Sequence, residues 1–578
     1  TMASVMFYIS ITASFIVCLA PIVATQDLLP PCDSEVFCHN GPDSLLHVVQ
    51  MAHLYTDSKT FVDMNIKTSL EQTLNTFQQL MAETANNPTP EQVRSFVDDN
   101  FSPPGSEFVP WDPEDWNPNP EFLEKVVDPK LQEWGHDLND LWKMLGKKIS
   151  PEVDEVPERH SQIYVPHPVI VPGGRFREFY YWDSFWTMEG LLLCGMQTTV
   201  RGMLSNFMDM VNNYGLVPNG GRVYYTRRSQ PPYLIPMVKI YIEATNDIEF
   251  LRENIHLLES EFNFWLTNRT ITVIKSGHSY DVVQYNSQVS GPRPESYRED
   301  YETAESLPEE EKEQLYIELK SGAESGWDYS TRWFMKEGHT KGSLKDLKTT
   351  SIAPVDLNSM ICMNARILSA FYDLLGDNEK EREYSDIADT RNKTIADLFW
   401  DESEGVWFDL NVDTMEKRKL FYLSNVHPLW SGCFGQEDSR ANTVEKVIGY
   451  LRRNGAFDYP GGIPTSLDNS GEQWDAPNVW APLMHVTVMG LYNARDINQE
   501  AGDLAYDVGS KWVQGNWLAY QQTSPHAMFE KYNANVSGLV GGGGEYDVQL
   551  GFGWTNGVAL KFLDIFGDRM KAAPSGVK

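Results

Sequence analysis

A chain of 578 residues with 41% apolar residues has the length and composition of a folded globular protein, not of a disordered or fibrous one. Its formal net charge of −34, from 47 basic against 81 acidic residues, argues against a phosphate-backbone partner, which needs a basic face. The acidity reads as a soluble, self-repelling surface.

Residues Val5 to Ala24 form an apolar run with small residues near its end, the pattern of a signal peptide (1–24) cleaved after about Ala24, with Met2 as the true start. No basic residue precedes the run, so an uncleaved anchor is the alternative. The chain closes in a polar tail, 569–578, and the expectation is a soluble secreted protein without a membrane anchor. Secretion predicts disulfides, and Cys32 and Cys38, within the segment 25–41, are close enough to close a small loop. With Cys18 lost in the signal, Cys194, Cys362 and Cys433 have no metal-ligand spacing and are expected as buried free thiols. Sequons at Asn100, Asn268, Asn392 and Asn535 fit the same compartment, Pro103 weakening the first.

Taken in order, Ser44–Thr56 and Ser69–Thr84 have helical spacing of apolar residues. A stretch rich in Pro, Trp and Asp, Pro103–Pro120, reads as a surface loop, and Pro120–Lys148 as a long helix. A weak internal repeat follows. Asn358–Leu375 forms one helix, Gly376 stops it, and a second helix runs from Asn378 to Trp400. The same plan of helix, Asp-bearing turn and aromatic-ended helix recurs around Ala244–Phe250 and around Asn493–Glu500. Repeated hairpins predict an all-α array of antiparallel helix pairs with small β decorations, such as the alternating run Gly405–Val412.

Long polar loops between the pairs are where a site would be built. The chain has no Walker-type loop, no HExxH, no GxSxG elbow and no credible metal or Ser/His/Asp set, so neither a metal nor a cofactor is expected. What remains is carboxylate chemistry, which suits glycosidic bonds, where one acid protonates the leaving oxygen and a second carboxylate activates water or attacks carbon. Asp328, after Gly326 and Trp327, sits where low local polarity favours a protonated acid; as a structural residue it would be a helix N-cap. Glu530, before Lys531, is placed to stay ionised; as a structural residue it would be a surface ion pair. Four glycines ahead of Glu545 allow either close backbone approach to a ligand or a flexible lid.

The stretches PGGRFREFYYWDSFW (Pro172–Trp186) and QWDAPNVWAP (Gln473–Pro482) resemble the two signatures of the alpha,alpha-trehalases of glycoside hydrolase family 37. DSKTFVDM, PNGGRVYY with RSQPP, SGWDYSTRW and GGGGEYDVQLGFGWTNGV resemble further blocks of that family, in its order, from about Pro42 to Phe566. The resemblance implies a single (α/α)6 toroid over 42–568 that hydrolyses trehalose to two glucoses with inversion at one anomeric carbon. It assigns Asp328 as general acid and Glu530 as general base, with Glu545 the rival for the base. It matches Arg175, Arg228 and Arg293 to the family's essential arginines, and Phe176, Trp182, Asp183, Asn219, Gln230, Glu295, Gly326, Trp474 and Glu545 to the lining of the sugar subsite. A glycan on Asn535, five residues beyond Glu530, would have to be absent or point outward. The expected partner is trehalose alone, bound by a monomer. The alternatives are a related toroidal alpha-glucan hydrolase and a sugar-binding protein that has lost catalysis.

Overall fold

The computed structural model describes residues 28–336, 342–435 and 437–573, so the signal-peptide run and its cleavage point lie outside the described residues. Among these, twelve helices build the body: α1 Pro129–Leu145, α2 Asp183–Leu193, α3 Gln197–Tyr214, α4 Leu234–Thr245, α5 Ile248–Asn268, α6 Val355–Leu375, α7 Asn378–Thr394, α8 His427–Ser431, α9 Glu437–Arg453, α10 Ala481–Asn493, α11 Gln499–Gln522 and α12 Gly553–Phe566. Each even-numbered helix touches the next, and α12 closes back on α2. The odd-numbered helices cover this ring from outside, and the double ring is the expected (α/α)6 toroid.

Side-chain pattern sorts the helices into their layers. An inner helix has neighbours on every side, so α2 buries every position from Asp183 to Leu191 and α10 every position from Ala481 to Val488. The outer helix α7, rich in Glu, Lys and Arg, buries only Tyr384, Ala388 and Thr394. Where α2 and α12 cross, the contact depends on glycine. A Cβ at Gly557 would lie 1.9 Å from the Trp186 carbonyl oxygen, and one at Gly190 would lie 2.8 Å from the Gly557 Cα.

The three predicted hairpins are α4–α5, α6–α7 and α10–α11. Asp247 accepts a hydrogen bond from the Phe250 N–H, and Asp377 accepts from the Glu379 and Lys380 N–H groups, satisfying first-turn donors that have no partner within the helix. Gly376, at φ 80°, ends α6 in the left-handed conformation that a side chain resists. In the third hairpin the cap is Asn498, not Asp496. The predicted helix over 120–148 is broken: a 3-10 turn, Glu121–Lys125, precedes α1, because Asp128 caps and Pro129 starts a new helix. The run Gly405–Val412 is not one strand. Val406–Trp407 pairs with Trp400–Asp401, whereas Leu410–Asn411 pairs with Ile352–Ala353.

Residues ahead of the toroid form a second apolar cluster, in which Phe61, Val97 and Phe101 pack with Tyr180, Tyr224, Tyr225 and Tyr297 from the loops above the ring. Beneath it lies a set of buried charges. Lys59 Nζ is 2.6 Å from Asp63 and 2.7 Å from Glu178, while Arg222 reaches Glu107 at 2.8 Å and Glu178 at 3.1 Å. Tyr180 and Tyr224 donate their hydroxyls to Glu178 and Asp63. The set joins the leading segment to both loops that carry the first signature stretch and its neighbour.

Two disulfides are present, Cys32–Cys38 as expected and Cys362–Cys433. The second corrects the expectation of free thiols at those positions: α6 and the turn after α8 are neighbours in the ring, a proximity that residues 71 apart do not reveal. Cys194 alone is a free buried thiol among the described cysteines. Asn100 is buried and its amide donates to the Phe96 carbonyl at 2.8 Å, which leaves no room for a glycan there, whereas Asn268 and Asn535 are exposed and Asn392 is half-buried. Peptide mapping without reductant is expected to recover Cys362 linked to Cys433. Replacing both by Ala should lower unfolding stability by about 4 kcal/mol, read by denaturant titration.

Candidate active site

The loops at one end of the ring enclose a pocket of about 630 Å³, its mouth included, which is within the range of small-molecule sites. All fourteen residues assigned to catalysis or sugar binding from the sequence line it: Arg175, Phe176, Trp182, Asp183, Asn219, Arg228, Gln230, Arg293, Glu295, Gly326, Asp328, Trp474, Glu530 and Glu545. The ring brings them together because each loop joins an outer helix to the next inner one.

Aromatic rings form the wall. Trp474 stacks on Trp480 with centroids 3.8 Å apart and on Trp327 at 5.5 Å, and Trp182 lies 5.7 Å from Trp474. The Trp182 backbone N–H donates to Gln230 at 3.1 Å. Gly326 has φ 75°, and a Cβ there would lie 2.7 Å from the Trp182 indole, so the ring's position requires glycine. Asn219 donates its amide to the Ser229 and Ala323 carbonyls and so joins two loops.

Each arginine is held by carboxylates. Arg175 makes a two-pronged pair with Asp57, at 2.7 and 2.8 Å, and lies over the Tyr546 ring. Arg228 pairs with Glu295 at 2.5 Å. Arg293 pairs with Asp300 at 2.6 Å and with Glu545 at 2.9 Å. Three buried polar atoms on the lining have no hydrogen-bond partner, namely Arg228 Nε, Glu295 Oε2 and Glu530 Oε2.

Burial and neighbours shift these carboxyls in different directions. Burial pushes Asp328 up to about 7, against the opposing pull of Arg293. Asp183, in the first turn of α2, is also raised by burial, with Glu530 and Asp328 adding to it. Glu295 is lowered: burial works against ionisation, but Arg228 and Arg293 overcome it. Burial raises Glu530, and Lys531 and the Tyr546 hydroxyl, which donates to Oε1 at 2.9 Å, hold it back. Glu545 is raised by burial despite Arg293.

The sequence reading missed Asp57, Asp300, Tyr546, Trp480 and Trp554. Asp57, Tyr546, Trp480 and Trp554 lie inside the quoted blocks and carried a signal that was not used. Asp300 lies outside them, in a helix whose acidic residues look like solvated ones.

A deep polar pocket walled by indoles and lined by several buried carboxyls, at one end of an (α/α)6 ring, defines a glycoside hydrolase. The trehalase family profile matches residues 53–567. The chain is 50% identical over 543 residues to the trehalase of Apis mellifera, covering 94% of this chain and 86% of that one. It is 48% identical over 545 residues to the trehalase of Homo sapiens, covering 94% and 91%. Among solved structures, neutral trehalase from Saccharomyces cerevisiae shares the fold, with TM-score 0.55 and 21% identity over 70% of this chain and 75% of that one. The chain belongs to the trehalase family.

Because Asp57 fixes the Arg175 guanidinium, Asp57→Asn is expected to lower kcat/KM for the sugar substrate by roughly 10- to 100-fold. Circular dichroism of the variant should remain that of the parent.

Proposed function

We propose that the chain is an inverting alpha,alpha-trehalase, with Asp328 as general acid and Glu530 as general base. The observation that carries this reading is the contrast between the two carboxyls. Asp328 lacks a direct cation partner and is held near neutrality, so at neutral pH it has a proton to give. Glu530 faces the same pocket with an unbonded oxygen and a lysine behind it, as a group that must accept a proton from water requires. Glu545 is the weaker candidate for the base, because its carboxylate is engaged by Arg293.

In this reading the Asp328 hydroxyl donates its proton to the bridging oxygen as the bond from that oxygen to the anomeric carbon breaks, the bonding pair leaving with the oxygen. A water attacks the opposite face of the anomeric carbon and loses its proton to Glu530. One glucose departs in the alpha form and the other is formed as beta. Asp328 and Glu530 then exchange protons with solvent to restore their starting states. Trehalose is uncharged, so the arginines act on it through hydrogen bonds from fixed guanidinium forks. Asp183 lines the same pocket, its carboxyl raised by burial.

Secretion is part of the same proposal. It is supported by two disulfides, which persist in oxidising compartments, and by exposed sequons at Asn268 and Asn535. Among the described residues no helix is long and apolar enough to cross a membrane.

The test is proton NMR of trehalose turnover by the purified protein. Equal initial release of alpha- and beta-glucose is expected, and release of alpha-glucose alone would exclude inversion. Asp328→Asn should reduce kcat by at least about 10²- to 10⁴-fold. Since the acid must be protonated, kcat/KM should fall as pH rises above about 7, tenfold per pH unit. A panel of maltose and starch beside trehalose separates this activity from alpha-glucan hydrolysis.

A further inference from the structure

Behind the pocket wall lies a buried lysine that the mechanism above does not use as a reactant. Lys531 follows Glu530 into a short antiparallel pair, Asn478–Trp480 with Lys531–Asn533, where it faces Trp480. Its side chain is fully buried. The ammonium donates to Gln473 Oε1 at 2.8 Å and to the Gly543 carbonyl at 3.3 Å, and it lies 5.0 Å from the Trp480 ring centre. Glu530 Oε2 is 3.9 Å away, inside Coulomb reach but outside hydrogen-bond distance. Neutral acceptors thus hold the charge in place, and the carboxylate oxygen is not consumed by a contact pair. The same Gln473 donates through Nε2 to the Asp328 carbonyl, tying the ammonium to the segment that carries the other carboxyl.

We infer that Lys531 is a positioning residue that sets the charge of Glu530, holding it as the proton-accepting anion while leaving Oε2 free of a direct hydrogen bond. The inference rests on the reading of Glu530 as the base. Other groups also act on Glu530. Arg175 and the Tyr546 hydroxyl favour its anion, and Asp183 and Asp328 face it from α2 and from the turn after Gly326. Of the influences that favour the Glu530 anion against burial, Lys531 is the largest.

Without the ammonium, burial wins. In Lys531→Met the acid limb of kcat/KM should move up by about one to two pH units, and Lys531→Arg should keep it near the parent position. The alkaline limb moves the same way, because Lys531 also acts on Asp328. A lysine that only filled space would lower activity at every pH and leave both limbs in place, and that result overturns the inference. Infrared titration of the resting protein gives a second reading. The Glu530 carboxyl band, identified by its loss in Glu530→Gln, should titrate at higher pH in Lys531→Met, and an unmoved midpoint overturns the inference. A midpoint that moves while the acid limb of activity does not would support the charge-setting role of Lys531 and remove Glu530 as the base. Should Lys531→Met fail to fold, Lys531→Gln, uncharged but polar, carries the same expectations.

Discussion

Everything at the mouth of the ring rests on a few charges that have no access to water. Glu178 lies between Lys59 and Arg222, and Asp63 and Glu107 complete the set. Charges so placed are tolerable only when paired and hydrogen-bonded, which makes the set a strict specification of geometry more than a source of net stability. Glu178 belongs to the first signature stretch, Lys59 to the leading segment and Arg222 to the loop after α3. None of the three can shift without exposing the others to an unpaired charge in an apolar surrounding. Two residues beyond Glu178, Tyr180 lines the pocket, and Arg175 and Trp182 flank it. The stretch that looks from its sequence like the site is therefore a wall whose back is fastened by ions.

The front of that wall uses the same physics for a different end. Asp57, Glu295, Asp300 and Glu545 each have an arginine in direct contact, whereas Asp328 and Asp183 have none. With 81 acidic residues in the chain, residue type alone does not mark out the few that line the pocket. Pairing aims the guanidinium forks, while burial without pairing strengthens a carboxyl's hold on its proton.

The helical hairpins were legible because their signals are local: apolar spacing, a glycine stop, and an Asp or Asn cap within a few residues of the helix it starts. The site residues were legible as motifs, through long blocks with the family's order. Partnerships were not. Asp57 meets Arg175 across 118 residues, and Cys362 meets Cys433 across 71, and nothing near either residue announces the other. The strand expected over 405–412 failed for a related reason. Its alternation was real, but β pairing needs partners, and the two halves found different ones on either side of the buried Phe408 and Asp409.

The ring is uneven in one respect. Five of its inner helices span several turns, while α8 has five residues, too few for intrinsic helix stability to hold it. Gly432 then turns the chain in the left-handed conformation, and Cys433 is bonded to α6, the neighbouring inner helix. The shortest stave of the barrel is thus the one fastened covalently to its neighbour. At its thinnest sector the closure of the ring is therefore covalent, where elsewhere it is made by packing alone among the described inner helices.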